Sequence, residues 1–90
     1  MAKYRKKPVV IEARQLTVMN GLEVSRWCGG AMKHEAKPSD STDVRYWLLI
    51  PTLEGAMEAD IGDWVIKGVE GEFYPCKPSV FEATYELAEL

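Results

Sequence analysis

Residues 44–53, VRYWLLIPTL, constrain this chain more than any other stretch. Val44, Tyr46, Leu48 and Ile50 alternate onto one face, while Trp47 and Leu49 keep the opposite face apolar too. A period of two with apolar residues on both faces describes a strand with neighbours on either side, so this strand is expected at the centre of a sheet. Pro51 has no N–H to give to a ladder, and the reading places a bulge or register change there. Turn signals then follow at short intervals. Glu54-Gly55 is read as a hairpin turn into residues 56–59, Ile61-Gly62-Asp63 as a redirection into 64–67, and the glycines at 68 and 71 as a second hairpin turn into 72–76. The back half of the chain therefore reads as an antiparallel meander.

The front half supplies one more strand and a helix. After Pro8, residues 9–16 place Val9, Ile11 and Ala13 on an inward face and Glu12 and Arg14 on the other. Asn20 and Glu23 have the spacing of a capping box, with Met19 positioned to staple onto Val24, and Val24, Trp27 and Cys28 share one helical face. Gly29-Gly30 stops this helix. Residues 31–36 read as a short edge strand and 37–43 as a mobile polar loop. Ser79 and Glu82 form a second capping-box pattern, opening a helical turn over 79–84 in which Phe81 and Tyr85 meet at i and i+4. The expected fold is α+β: a mainly antiparallel sheet of about five strands, the 20–28 helix on one face, and a short C-terminal helical turn.

Ninety residues at 47% hydrophobic make one domain, 1–90, with one core. No apolar run has the length of a membrane span, and the start has no long apolar leader, so a cytosolic setting with Cys28 and Cys76 as free thiols is expected. The formal charge of −3 conceals an asymmetry. Lys3, Arg5, Lys6 and Lys7 precede every acidic residue, and from residue 8 onward seven basic groups face fourteen acidic ones, giving −7. An acidic body with a basic arm over 1–7 lacks the broad cationic face that nucleic-acid binding requires.

Candidate chemistry is thin. Cys76 is a nucleophile candidate whose one available histidine, His34, stands beside the loop expected at 37–43, and no cysteine-hydrolase signature surrounds either. Between two prolines on an aromatic-rich segment, Cys76 reads as a buried, chemically quiet packing residue. Cys28, His34, Cys76 and Asp63 lack the paired spacing of a zinc site, so no metal and no cofactor is expected. Asp63 and Glu72 read as turn and hairpin residues rather than an acid–base pair, and the glycines build no phosphate loop. The rings remain. Trp27, Trp47, Trp64, Tyr46 and Tyr74 can line a pocket or an interface, Trp47 first among them because it lies on the strand face a small chain has least mass to cover. Nine aromatics in so short a chain also predict a homodimer.

Two segments, YRKKPVVIEA (4–13) and IPTLEGAMEADIGDWVIKGVEGEFYPCKPSVFEATYE (50–86), resemble a widespread family of small bacteriophage and prophage proteins. Its pattern is KYRKKPVxxEA, a variable middle, then PGDWIIKGxxGEFYPCKPxxFxxTYE. The two segments make up about half of the chain, and the resemblance departs at Ile61, where the family has proline. It implies a viral origin and action in the host cytoplasm, and it names a lineage rather than an activity. The function expected is therefore a non-enzymatic accessory protein that binds a host protein, with binding residues Trp47, Trp64, Tyr74, Lys67 and Lys77. The alternatives are a sponge for a nucleotide-like defence signal, held by rings and by Lys67, Lys77 or the arm, and a small Cys76 hydrolase.

Overall fold

The computed structural model describes residues 1–5, 7–37 and 40–88. Eight elements follow one another: β1 (Glu12–Gln15), α1 (Gly21–Cys28), β2 (Ala31–Lys37), β3 (Asp40–Thr52), β4 (Gly55–Asp60), β5 (Trp64–Lys67), β6 (Phe73–Cys76) and α2 (Pro78–Thr84). The α+β class and the antiparallel pairing are as expected. The strands, however, divide into two three-stranded sheets, β1-β5-β6 and β2-β3-β4, rather than forming one of about five. The division falls at the turn after Asp60, where the chain leaves β3 and continues as β5 beside β1.

Strand β3 is central in its sheet, as its two-faced apolar pattern requires. Cross-strand partners Met32, Leu48 and Ala59 share the inner face, and Lys33, Trp47 and Asp60 the outer one. Leu48, Ile50 and Ala59 are fully buried and join Leu16, Val24, Cys28 and Val65 in one core, with Trp27, Met32 and Phe73 packed against it. Helix α1 packs against β2 and β3 and delivers Val24 and Cys28, two of the three residues expected on its inner face, to the core, while Trp27 packs half-buried at the rim. A second layer forms on the far face of the other sheet. There Ile66, also fully buried, lies beside Trp64 and Tyr74 on the face that α2 covers with Phe81.

Several local expectations are corrected, each for a physical reason. Strand β1 spans only Glu12–Gln15, because its partner β5 has four residues before the Gly68 turn and leaves residues 9–11 nothing to pair with; Val9 is 49% exposed. Pro51 causes no bulge, since its pairing with Ala56 continues the β3–β4 register without a break. β2 begins opposite Leu49, so Pro51 has a strand on one side only, the position proline tolerates. The single register shift between β2 and β3 falls at Ala36/Lys37 instead. Most of the segment read as a loop, 37–43, is strand, because the β2–β3 hairpin runs out almost to its tip; residues 38 and 39 lie outside the described residues, as does Lys6 of the basic arm.

Neither capping box forms. The Asn20 side chain accepts the Thr17 N–H at 2.8 Å and donates to the Gln15 carbonyl at 2.8 Å, bracing the sharp passage from β1 into α1 instead of capping the helix. Met19 is 95% exposed and makes no staple. At α2 the cap position is Lys77, with Pro78 at the first helical position, where a missing N–H costs nothing, and Ser79 consequently lies inside the helix. The end of α1 is as expected. Gly29 adopts φ 71° and its N–H bonds back to the Ser25 carbonyl. Gly30 has a different constraint: a Cβ there would stand 2.4 Å from the Leu49 carbonyl oxygen and 3.1 Å from Cys28 Sγ.

Gly30→Ala therefore forces α1 away from β3, and urea denaturation should show a loss of about 2 kcal/mol or more. Gly29→Ala, which faces open space and suffers only from its positive φ, should lose about 1 kcal/mol.

Candidate functional site

Asp60-Ile61-Gly62-Asp63 forms a tight corner in which the Asp63 N–H donates to the Asp60 carbonyl at 2.9 Å. The Asp63 carboxylate turns back and accepts the Asp60 N–H at 2.8 Å, the role expected of it. Its side chain is only 5% exposed, and Lys77 Nζ supplies the compensating charge at 2.9 Å. Lys77 also reaches Asp60 at 3.2 Å, and Arg45 donates to Asp60 at 2.8 Å and to Glu58 at 3.2 Å. The backbone of the same corner holds β1, because the Leu16 N–H donates to Asp63 O and the Gly62 N–H donates to Leu16 O, both at 2.8 Å. One ionic cluster thereby ties β3, β4, β6 and β1 together. Hydrogen bonds from Arg45 and then Lys77 hold the Asp60 carboxyl below its ordinary value, and those to Asp63 and Asp60 raise the Lys77 ammonium.

This geometry sorts the residues proposed from the sequence. Lys77, one of the cations assigned to a phosphate, spends its charge on two carboxylates of the chain itself. Lys67 makes no ion pair among the described residues. Glu72 sits in the β5–β6 hairpin, where it accepts the Glu70 N–H at 3.0 Å, and shares no hydrogen bond with Asp63. His34 lies on β2 and Cys76 on β6, in different sheets. Cys76 is half-buried rather than fully enclosed, its Sγ 3.7 Å from the Lys77 carbonyl, whereas Cys28 is the buried thiol and burial pushes it up. Among the described residues no three His, Cys, Asp or Glu side chains gather as metal ligands.

The rings are engaged pairwise. Trp64 stacks face to face on Phe81 at 4.0 Å with planes 4° apart, and Phe81 continues onto Tyr85 at 5.1 Å. Tyr85 and Tyr74 approach through their hydroxyls at 3.5 Å, which together with partial burial pushes the Tyr74 phenol up to about 12. Trp27 meets Phe73 edge-on at 5.0 Å and carries the Arg14 guanidinium over its face at 4.5 Å. Trp47 lies on the outer face as the alternation required, with the Arg45 guanidinium 4.5 Å above its ring.

Two clefts remain. One, of about 900 Å³, runs between residues 8–14 and 84–88 and exposes the edges of Trp64, Phe81 and Tyr85. The other, of about 700 Å³, opens between the β3–β4 and β5–β6 hairpin tips. Its lining is Pro51, Leu53, Met57, Phe73 and Tyr74, with Glu54, Glu70 and Glu72 around them. Leu53 and Val69, at the two turns, are 104% and 68% exposed. Of the five binding residues expected from the sequence, Tyr74 alone lines this cleft. The missed signal was apolar residues in turn positions, Leu53 and Val69, each next to a glutamate. Comparison of the chain with protein-family models, with curated proteins and with solved structures gives no match.

The ionic corner makes stability acid-sensitive. Asp60 has a folded value below its unfolded one, so its contribution is complete above the ordinary carboxylate value of 3.8 and is lost as pH falls through the folded value. Denaturation midpoints should thus drop in that window, and Arg45→Gln should flatten the drop. At the other extreme, phenolate absorbance should show Tyr74 titrating last, and Tyr85→Phe should bring it down toward 10. Under native conditions thiol labelling should modify Cys76 well before Cys28, which should react only on unfolding.

Proposed function

We propose that this chain is a small bacteriophage accessory protein that acts in the host cytoplasm without catalysis, by binding a host protein through the cleft between its hairpin tips. The observation that carries the reading is the pairing of an apolar lining with an acidic rim: Leu53, Met57, Phe73 and Tyr74 beside Glu54, Glu70 and Glu72. Such a surface suits a protein segment with an apolar anchor flanked by Lys or Arg, since the anchor gains by leaving water and the flanking cations gain from the rim. The same rim repels phosphates. With Lys77 held by Asp60 and Asp63, one of the cations expected to meet a phosphate is already neutralised within the chain. No helix among the described residues is long and apolar enough to cross a membrane. The lineage part of the reading rests on the two motifs at 4–13 and 50–86. A self-associated state belongs to the same proposal.

The test is a pull-down from host lysate with matched variants, beside calorimetry with cyclic and linear nucleotides. A specific partner should be retained by wild type and by Lys67→Glu, and reduced about tenfold or more by Leu53→Asp or by Glu70→Lys with Glu72→Lys. Leu53 is fully exposed, so its substitution should leave the fold intact. Tight stoichiometric nucleotide binding, or a partner indifferent to all these changes, would overturn the proposal.

A further inference from the structure

β1 is an outer strand. Its sheet runs β1-β5-β6, so the side of β1 away from β5 has no neighbouring strand among the described residues. In an antiparallel ladder, successive residues direct their N–H and C=O alternately to the neighbour and to the opposite edge. Leu16 exchanges its bonds with Asp63 and Gly62, on the β5 side. The even-numbered residues of β1 therefore face β5, and Ile11, Ala13 and Gln15 face the open edge. The Gln15 carbonyl agrees with this parity, because it accepts the Asn20 amide from outside the ladder at 2.8 Å and keeps its second lone pair.

The side chains along this edge are self-complementary. When a second β1 is laid antiparallel with Ala13 opposite Ala13, the outward-facing backbone groups of residues 11, 13 and 15 meet those of residues 15, 13 and 11. In the same register Glu12 stands opposite Arg14 of the second copy, and Arg14 opposite its Glu12. These are the closely spaced, non-hydrogen-bonded positions, where cross-strand charge pairs interact best. Glu12 makes no ion pair among the described residues, and Arg14 holds only a 3.8 Å contact with exposed Glu23 besides its place over Trp27. Just ahead of the strand, Val9 and Val10 are 49% and 75% exposed, apolar surface that a strand on this edge would cover. Two of the other edges are less suited. Pro75 removes a donor from β6, and β2, with Lys33 and Glu35, has no comparable exposed valines beside it.

We propose that the open edge of β1 is a self-association surface, on which a second copy of this chain pairs its own β1 antiparallel about a two-fold axis at Ala13. The two small sheets become one six-stranded sheet, β6-β5-β1 followed by the same strands reversed. The contact is isologous and leaves the hairpin-tip cleft of each copy untouched.

Sedimentation equilibrium from low to high micromolar concentration tests this, with amide exchange as a second readout. Wild type should dimerise, and the Ala13 N–H should become protected as concentration rises. Ala13→Pro deletes an outward N–H without touching the β1–β5 bonds, so it should keep the circular dichroism spectrum and be monomeric. Glu12→Arg and Arg14→Glu should each weaken the dimer by about tenfold, by placing like charges opposite one another twice, and the double variant should restore it. That rescue is specific to this register, and it carries the test alone if Ala13→Pro fails to fold. A wild type that stays monomeric, a dimer unaffected by Ala13→Pro, or a double swap no better than its weaker single variant would each overturn the proposal.

Discussion

The Asp63 carboxylate is buried between two elements that would otherwise part: the corner leaving β4 and the end of β6. A buried carboxylate is tolerated only when its lone pairs and its charge are met, and here the Asp60 N–H meets the first and Lys77 the second. Because Lys77 and Arg45 converge on the neighbouring Asp60, the corner cannot tilt without breaking contacts to β3 and β6 at once. Leu16, the first core residue after β1, takes its backbone bonds from the same corner. The strands divide into two sheets at this corner, and its backbone also seats the residue that follows β1.

Around the corner the rings are divided between two layers. Trp27 and Phe73 close the rim of the main core, where Arg14 covers the indole, while Trp64, Phe81 and Tyr85 form a separate stack under α2. α2 has no fully buried residue, so it is held mainly by that stack and by the Tyr74–Tyr85 contact. The arrangement explains how a short chain accommodates so many aromatics: they pair with each other and with guanidinium groups rather than all entering one interior. It also changes how the binding surface is read. Trp47 and Trp64 are already partnered, and the exposed apolar residues include those at the hairpin tips and beside β1.

Electrostatics separates the possible occupants. Lys77, one of the cations that a linear reading offers to a phosphate, is neutralised within the corner, where Arg45 is paired as well. The glutamates of the hairpin turns, by contrast, stand in solvent around an apolar floor. Local charge rather than net charge therefore favours a basic, apolar-anchored protein segment over an anion.

The strands from residue 44 onward, the stop of α1 at Gly29-Gly30 and the turn role of Asp63 were legible in the sequence, because alternation and glycine geometry are local properties that neighbouring residues alone determine. The class followed from them. What the sequence did not reveal depends on contacts between distant residues. Asn20 and Ser79 match capping patterns, yet Asn20 is drawn to the end of β1 and Pro78 takes the first position of α2. At the corner where the strands divide into two sheets, Asp63 meets Lys77, fourteen residues away, and Leu16, forty-seven away. The cleft exists only because two hairpins end side by side, and its residues, Leu53, Met57, Phe73 and Tyr74 among them, carry no shared spacing. Periodicity records which way a residue points; which distant residue it meets is decided by the packing of the whole chain.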